Sequence, residues 1–95
     1  MRIDRDVTKE EANRHKHKLD FSFADLMFAD PLAVEVYDRF ENGEDRWHTF
    51  SQIGDKLLLV VYTYPDPEDG NWVRVIGLRE ATAHERKRYE EGEYD

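Results

Sequence analysis

Hydrophobic residues change their spacing near residue 31, from a helical pattern to an alternating one. Phe23 and Met27 are four residues apart and fall on one face of a helix. Val34 and Val36 alternate with Glu35, as in a strand with one buried face. This change predicts helices first and a sheet after them.

Two helices are predicted before the sheet. Thr8 is followed three residues later by Glu11, a capping-box pattern that predicts a helix from about 8 to 18. A second helix begins at Ser22 and ends at Asp30-Pro31, since the residue before proline disfavours helical conformation.

Four strands and a last helix are predicted to follow. The strands cover 32–38, 45–53, 56–64 and 72–78, with short connections that favour an antiparallel meander. The third strand is apolar on both faces, as expected of a central strand covered on both sides. A second capping box, Thr82 to Glu85, opens a helix to about residue 91. The predicted fold class is α+β, with two N-terminal helices, a four-stranded antiparallel sheet and a C-terminal helix.

Length and composition predict one small cytoplasmic domain. The chain of 95 residues predicts a single domain over 1–91, with a disordered acidic tail at 92–95. It has no cysteine, which excludes disulfides and thiolate metal sites. No segment is typical of a signal peptide or a membrane span, so no membrane partner is expected.

Charge is unevenly distributed along this acidic chain. The net charge of −8 argues against nonspecific binding to nucleic acid. However, basic residues cluster at 14–18 and at 86–88, so local basic patches are expected on an acidic body. A DNA-binding regulator acting alone is disfavoured, because no predicted helix carries a basic recognition face.

The segment around His15 and His17 raises the question of a metal site. On a helix these two side chains diverge by about 200°, so they cannot hold one ion together. Neither a metal site nor a cofactor is expected. Asn13, Lys16 and His17, in contrast, share one helix face. Either Asn13 and His17 bond the helix to the sheet, or this face takes part in catalysis.

A series of motifs resembles a known family. In order, the matching residues are Arg5-Asp6, Lys9, Asn13, Lys16-His17-Lys18, Phe21, Ala24, Phe28–Pro31, Glu44–Arg46, Val60–Thr63, Val73–Ala81 and Glu85–Glu90. With this spacing, the chain from about residue 4 to 90 resembles the BrnT toxins of type II toxin–antitoxin systems. The pattern differs at Arg5, Lys18, Gly77 and Glu80, where that family usually has Trp, Gly, Ser and Lys.

This resemblance implies a RelE-like endoribonuclease that cleaves RNA without metal and slows translation. It also implies neutralisation by a BrnA-like ribbon-helix-helix antitoxin, which makes the DNA contacts of the complex, with a possible homodimer within that complex. Metal-free cleavage needs proton transfer and cations at the phosphate. The hypothesised catalytic residues are His17, Arg79 and Arg46. The hypothesised RNA-binding residues are Lys16, Arg74, Arg14 and Tyr89, and the structural residues are Asn13, Asp30 and Pro31.

Each candidate also has a structural interpretation. Arg46 would pair with nearby acids, and Tyr89 would dock the last helix on the sheet. Arg74 and Arg79 are five residues apart, so they share a face only if Gly77 forms a bulge or the strand ends early. The alternative function is a catalytically silent binding module, which the departures at Gly77 and Glu80 favour.

Overall fold

The computed structural model describes residues 1–94. Its elements in chain order are β1 (Arg2–Arg5), α1 (Val7–His17), α2 (Phe23–Ala29), β2 (Val34–Glu41), β3 (Glu44–Ile53), β4 (Lys56–Thr63), β5 (Trp72–Glu80) and α3 (Ala83–Glu90). Asp95, the last residue of the tail predicted to be disordered, lies outside the described residues. No helix within residues 1–94 is long and apolar enough to span a bilayer.

The sheet has five strands in the order β1-β5-β4-β3-β2, so the prediction of four strands was wrong. Strands β2 to β5 form the predicted antiparallel meander, with β4 in the centre. The additional strand, β1, pairs in parallel with β5 at the edge. Ile3 is its only apolar residue, so it has no alternation to recognise. In addition to the backbone pairing, a side-chain hydrogen bond holds β1 on β5: Trp72 Nε1 donates to Asp4 Oδ2 at 2.8 Å.

Helix α1 begins earlier than the sequence pattern predicts. Its N-cap is Asp6, whose carboxylate accepts the Lys9 amide at 3.1 Å, and not Thr8. The helix ends at Lys18, which has a left-handed conformation (φ 58°) and donates its amide to the Arg14 carbonyl at 2.9 Å. The predicted Thr82–Glu85 capping box of α3 is confirmed.

Two hydrophobic clusters lie on opposite faces of the sheet. The larger one is on the helix-covered face, where α2 and the preceding Phe21 pack on the strands; its buried members are Phe21, Ala24, Met27, Leu58, Val60, Tyr62, Val73, Val75 and Leu78. The smaller one is on the opposite face, where Phe50, Leu57 and Leu59 meet Tyr89 of α3 and Tyr94. Tyr94 stacks on Phe50 with ring centroids 4.8 Å apart.

A bulge in β5 changes which side chains share a face. Val61 pairs with Gly77, but the next residue, Tyr62, pairs with Val75, so Ile76 is the extra residue. The bulge shifts the alternation by one position. Arg74 and Arg79 therefore lie on the same face of the sheet, the one that α3 partly covers.

Candidate active site

Helix α1 is fixed to the sheet by the side-chain amide of Asn13. Its Nδ2 donates to the Leu78 carbonyl at 2.8 Å, and its Oδ1 accepts the Leu78 amide at 3.0 Å. Strand β1 ends at Arg5, which is opposite Val75, so Asn13 bonds to the β5 edge just beyond the last β1 pair. This amide replaces a paired strand and brings the C-terminal end of α1 towards Arg79.

A cleft of about 550 Å³ separates the end of α1 from β4 and β5. Its charged lining side chains are Lys16, His17, Lys18, Lys56, Arg79 and Glu80. Four of these are permanent cations and only one is an acid, so a basic region forms on a chain of net charge −8. The structure thus brings together three predicted site residues, Lys16, His17 and Arg79.

His17 is half-buried in this cleft, and its pKa is lowered. Partial burial is the main cause, and the positive charges of Lys16 and Arg79 lower the pKa further. The imidazole is therefore mainly neutral at pH 7. A neutral imidazole with cations beside it is suited to accept a proton from a group held by those cations.

Arg79 is held at the start of α3 by a bidentate ion pair. Its Nη1 and Nη2 donate to the two Glu85 carboxylate oxygens at 2.7 and 3.0 Å. The same carboxylate accepts the Thr82 amide at 2.9 Å. Chiefly because of Arg79, the pKa of Glu85 falls to about 2. Among residues 1–94, no acceptor takes the Arg79 Nε–H or its second Nη2–H, so both remain for a ligand.

Arg46 and Arg74 lie on the same face as Arg79 but farther along the strands. Arg74 pairs with Thr63, and Arg46 precedes Trp47, which pairs with Tyr62. The two arginines therefore flank Thr63, whose hydroxyl is buried with no partner in the described part of the chain. Arg46 also forms an ion pair with Glu41 at 2.9 Å.

The remaining predicted residues lie outside the cleft lining. Arg14 is exposed and paired with Asp20 at 3.3 Å. Tyr89 packs on Phe50, with ring centroids 6.1 Å apart, and so docks α3 on the sheet. Asp30 accepts the Ser51 hydroxyl at 2.6 Å and the Leu32 amide at 2.9 Å, fixing the turn that contains Pro31.

Sequence reasoning did not select Lys56, Glu85, His48 or Asp38 for this site. His48 Nε2 lies 3.2 Å from Asp38 Oδ2, on the arginine-bearing face. The alternation of Arg46, His48 and Phe50 along β3 was the available signal for His48. No comparable signal existed for Asp38, because a register shift in β2 sets its direction.

Comparison with known protein families gives a match over most of the chain. No curated protein matches the chain. Within residues 1–94, no cluster of three or more histidine or acidic side chains is placed to hold a metal ion. A family model described as the ribonuclease toxin BrnT of type II toxin–antitoxin systems matches residues 6–85, which include His17, Arg46 and Arg79. The predicted family resemblance is confirmed. The chain therefore belongs to the BrnT family of ribonuclease toxins of type II toxin–antitoxin systems.

Proposed function

We propose that this chain is an endoribonuclease that cleaves RNA without a metal ion. The 2′ oxygen forms a bond to the adjacent phosphorus, the bond to the 5′ oxygen breaks, and a cyclic phosphate remains. A base takes the 2′ proton and an acid supplies a proton to the leaving 5′ oxygen. The observation that carries this proposal is the convergence of His17, Lys16 and Arg79 on one basic cleft.

In this proposal, His17 is the base and Arg79 holds the scissile phosphate. The lowered pKa of His17 keeps the imidazole ready to accept the 2′ proton. Glu85 fixes the Arg79 guanidinium, whose two uncommitted N–H groups suit a phosphate with two oxygens in reach. Preorganised donors of this kind stabilise the charge that develops in the transition state.

The other predicted RNA-binding residues extend the path for the RNA. Lys16 and Lys56 lie in the cleft, while Arg46 and Arg74 contact backbone phosphates farther along the same face. Arg14 attracts RNA from the outer side of α1. Tyr89 stacks a base only on the side of its ring that faces away from Phe50.

The partner in this proposal is a BrnA-like ribbon-helix-helix antitoxin, because type II toxins are neutralised by proteins. Cleavage slows translation in the cytoplasm in the manner of RelE-like toxins, and DNA is contacted only through the antitoxin. The complex contains two copies of this chain. Helix α3, with no buried residue of its own, becomes fully ordered on the partner. Full hydrogen-exchange protection of residues 83–91 in the isolated chain would contradict that last point.

A catalytically silent module that only binds an antitoxin is the second candidate. Glu85 already occupies two donor groups of Arg79, and Glu80 adds a negative charge to the cleft. Both features weaken phosphate binding relative to a free guanidinium.

The test is RNA cleavage by the purified chain in the presence of a metal chelator. Wild type is expected to produce cyclic phosphate ends, and Arg79→Ala to lose about 100-fold in rate. Arg86→Ala is the matched control, because Arg86 lies outside the cleft and pairs with Glu90. Equal cleavage by wild type and Arg79→Ala would show that Arg79 has no role. No cleavage by wild type, with or without ribosomes, would favour the silent module.

A further inference from the structure

The proposed cleavage reaction needs two groups that transfer protons, and His17 is the only imidazole among the residues that line the cleft. His17 faces the phosphate site beside Arg79, where it serves the 2′ oxygen. The leaving 5′ oxygen departs on the opposite side of the phosphorus in an in-line reaction. An acid is therefore required on the side of the phosphorus opposite His17, and this inference rests on the proposed function.

Strand register places His48 between the arginines of this face. His48 pairs with Val61, and Val61 pairs with Gly77 on β5. His48, Val61 and Gly77 thus form one row across three strands, called the middle row here. Arg79 lies in the next row on one side, and Arg46 and Arg74 lie in the next row on the other side. An RNA backbone that reaches from Arg79 to Arg46 must pass over this middle row.

The middle row has little else that reacts. Val61 is apolar and Gly77 has no side chain, so His48 is the only titratable group among these three positions. A Cβ at Gly77 would lie 3.7 Å from Val61 and 3.9 Å from Asn13 Oδ1, so no side chain of residue 77 fills the surface at this position. In this row, Val61 therefore carries the only side chain between His48 and β5.

Neighbouring side chains on two strands set the orientation of His48. Asp38 lies where the β2–β3 register shifts, between Tyr37 and Arg39, and this shift brings its carboxylate to 3.2 Å from His48 Nε2. On the other side, the ring meets Phe50 edge to face, at a centroid distance of 6.4 Å. The side chain of His48 is 14% exposed, which suits a group that is held in place but still reaches solvent.

We propose that His48 is the general acid of the cleavage reaction and that Asp38 is its positioning residue. The His48 imidazolium gives its proton to the 5′ oxygen as the P–O5′ bond breaks, while His17 takes the 2′ proton. One proton is lost and one gained by the two imidazoles, and exchange with solvent restores both. The charge of the Asp38 carboxylate favours the imidazolium form.

The charged groups around His48 come from three elements. Asp38 and Arg39 lie on β2, Arg79 on β5 and Glu85 on α3. Burial is the main cause of the lowered pKa of His48, and the two arginines lower this pKa further. The two carboxylates act in the opposite direction, because they favour the protonated ring. A bound phosphate adds negative charge near the ring, so RNA binding shifts the balance back towards the acid form.

The experiment compares two substrates under metal-free conditions. One is an ordinary RNA oligonucleotide, and the other has a 5′-bridging sulfur at the scissile position, a leaving group that needs no proton. His48→Ala and His48→Gln are expected to lose at least 100-fold on the ordinary RNA and less than 10-fold on the sulfur substrate. Arg79→Ala is expected to lose activity on both. His15→Ala is the control, because His15 is exposed and lies on the far side of α1.

The pH profile gives a second readout, which a purely structural role would not change. On ordinary RNA, wild type is expected to lose activity at high pH as the acid deprotonates. Asp38→Asn is expected to move this loss to lower pH, since the variant lacks the charge that raises the pKa of His48.

Three results would overturn the proposal. Equal activity of wild type and the folded His48 variants would exclude a role in catalysis, while leaving the ribonuclease function intact. Equal losses on both substrates would exclude the general acid role. A wild type inert on both substrates would overturn the ribonuclease function itself, and this proposal with it.

Discussion

The two faces of the sheet use the same strands for opposite purposes. On the helix-covered face, Tyr62 is buried against Phe28 at 4.9 Å, and its hydroxyl meets Thr49 Oγ1 at 2.7 Å and Glu35. Burial raises the pKa of Tyr62 and, with Glu35, raises that of Tyr64 to about 12. These two phenols therefore stay protonated, and both donate to the Glu35 carboxylate.

The opposite face has a small apolar cluster under α3 and charged side chains beyond it. Arg79, Arg46 and His48 each have a carboxylate partner but remain partly exposed. We infer that the helix-covered face provides most of the stability, whereas the arginine-bearing face carries residues that are proposed above to bind and cleave RNA. Because alternation assigns successive residues to opposite faces, one strand can serve both needs.

The strongest test of this division replaces one side chain on each face by alanine and compares the losses of stability. Phe21→Ala, which opens a cavity at a residue that is 1% exposed, is expected to lower the free energy of unfolding by about 3–5 kcal/mol. Arg74→Ala on the opposite face is expected to change it by less than about 0.5 kcal/mol. Urea titration measures both. Similar losses in the two variants would refute the division.

The next largest effect concerns the junction between α1 and the sheet. Asn13→Ala leaves the buried amide and carbonyl of Leu78 without the partners they have now, so a loss of about 2–3 kcal/mol is expected. The Leu78 amide should also exchange with solvent faster. Asn71→Ala, at an exposed loop position, is the control. An unchanged exchange rate of the Leu78 amide in Asn13→Ala would show that the Asn13 side chain does not protect the edge of β5.

A smaller effect comes from the ion pair on the arginine-bearing face. The pKa of Glu85 is lowered from 4.5 to about 2 in the folded chain, so its contribution is complete above pH 4.5 and is lost as the pH falls towards 2. We expect about 2 kcal/mol of stability to disappear over this range, after allowance for solvent screening. Glu85→Gln should abolish this part of the pH dependence, whereas the exposed Glu90→Gln should preserve it. Identical acid titrations of wild type and Glu85→Gln would contradict this.

The smallest effect is expected at the end of α1. Lys18 has φ 58°, a conformation that disfavours any residue with a Cβ, so Lys18→Gly is expected to stabilise the chain by about 1 kcal/mol. Lys9→Gly, inside the same helix, is expected to destabilise the chain by about the same amount. Thermal unfolding measures both. A lower melting temperature for Lys18→Gly would mean that the lysine makes a compensating contact.

Local patterns were sufficient for much of the fold. The Thr82 capping box, the Asn42-Gly43 turn and the apolar run of β4 each carry their signal within a few residues, and each is present in the structure. Strand β1 has no such signal, because its partner is about 70 residues away and its main anchor is Trp72. The Thr8 capping box was a false signal, since Asp6 competes for the same helix start.

The site was harder to predict because it depends on register. Lys16, His17 and Arg79 were selected from motif and residue chemistry, and the structure brings them to one cleft. Whether Arg74 shares the face of Arg79 depends on a single extra residue, Ile76, which no periodicity reveals. The approach of Asp38 to His48 depends on a second such shift, in β2.

The bonds from Asn13 to Leu78 have a consequence for synthesis. They join residues 65 positions apart, and β1 joins β5 over a similar span. Because closing a long loop costs more entropy than closing a short one, we expect contacts this distant in sequence to form after the local hairpins. His17 therefore cannot reach its place beside Arg79 until β5 has left the ribosome. A ribosome that is still translating this chain carries no assembled cleft, so under the proposed function it is not exposed to an active nuclease.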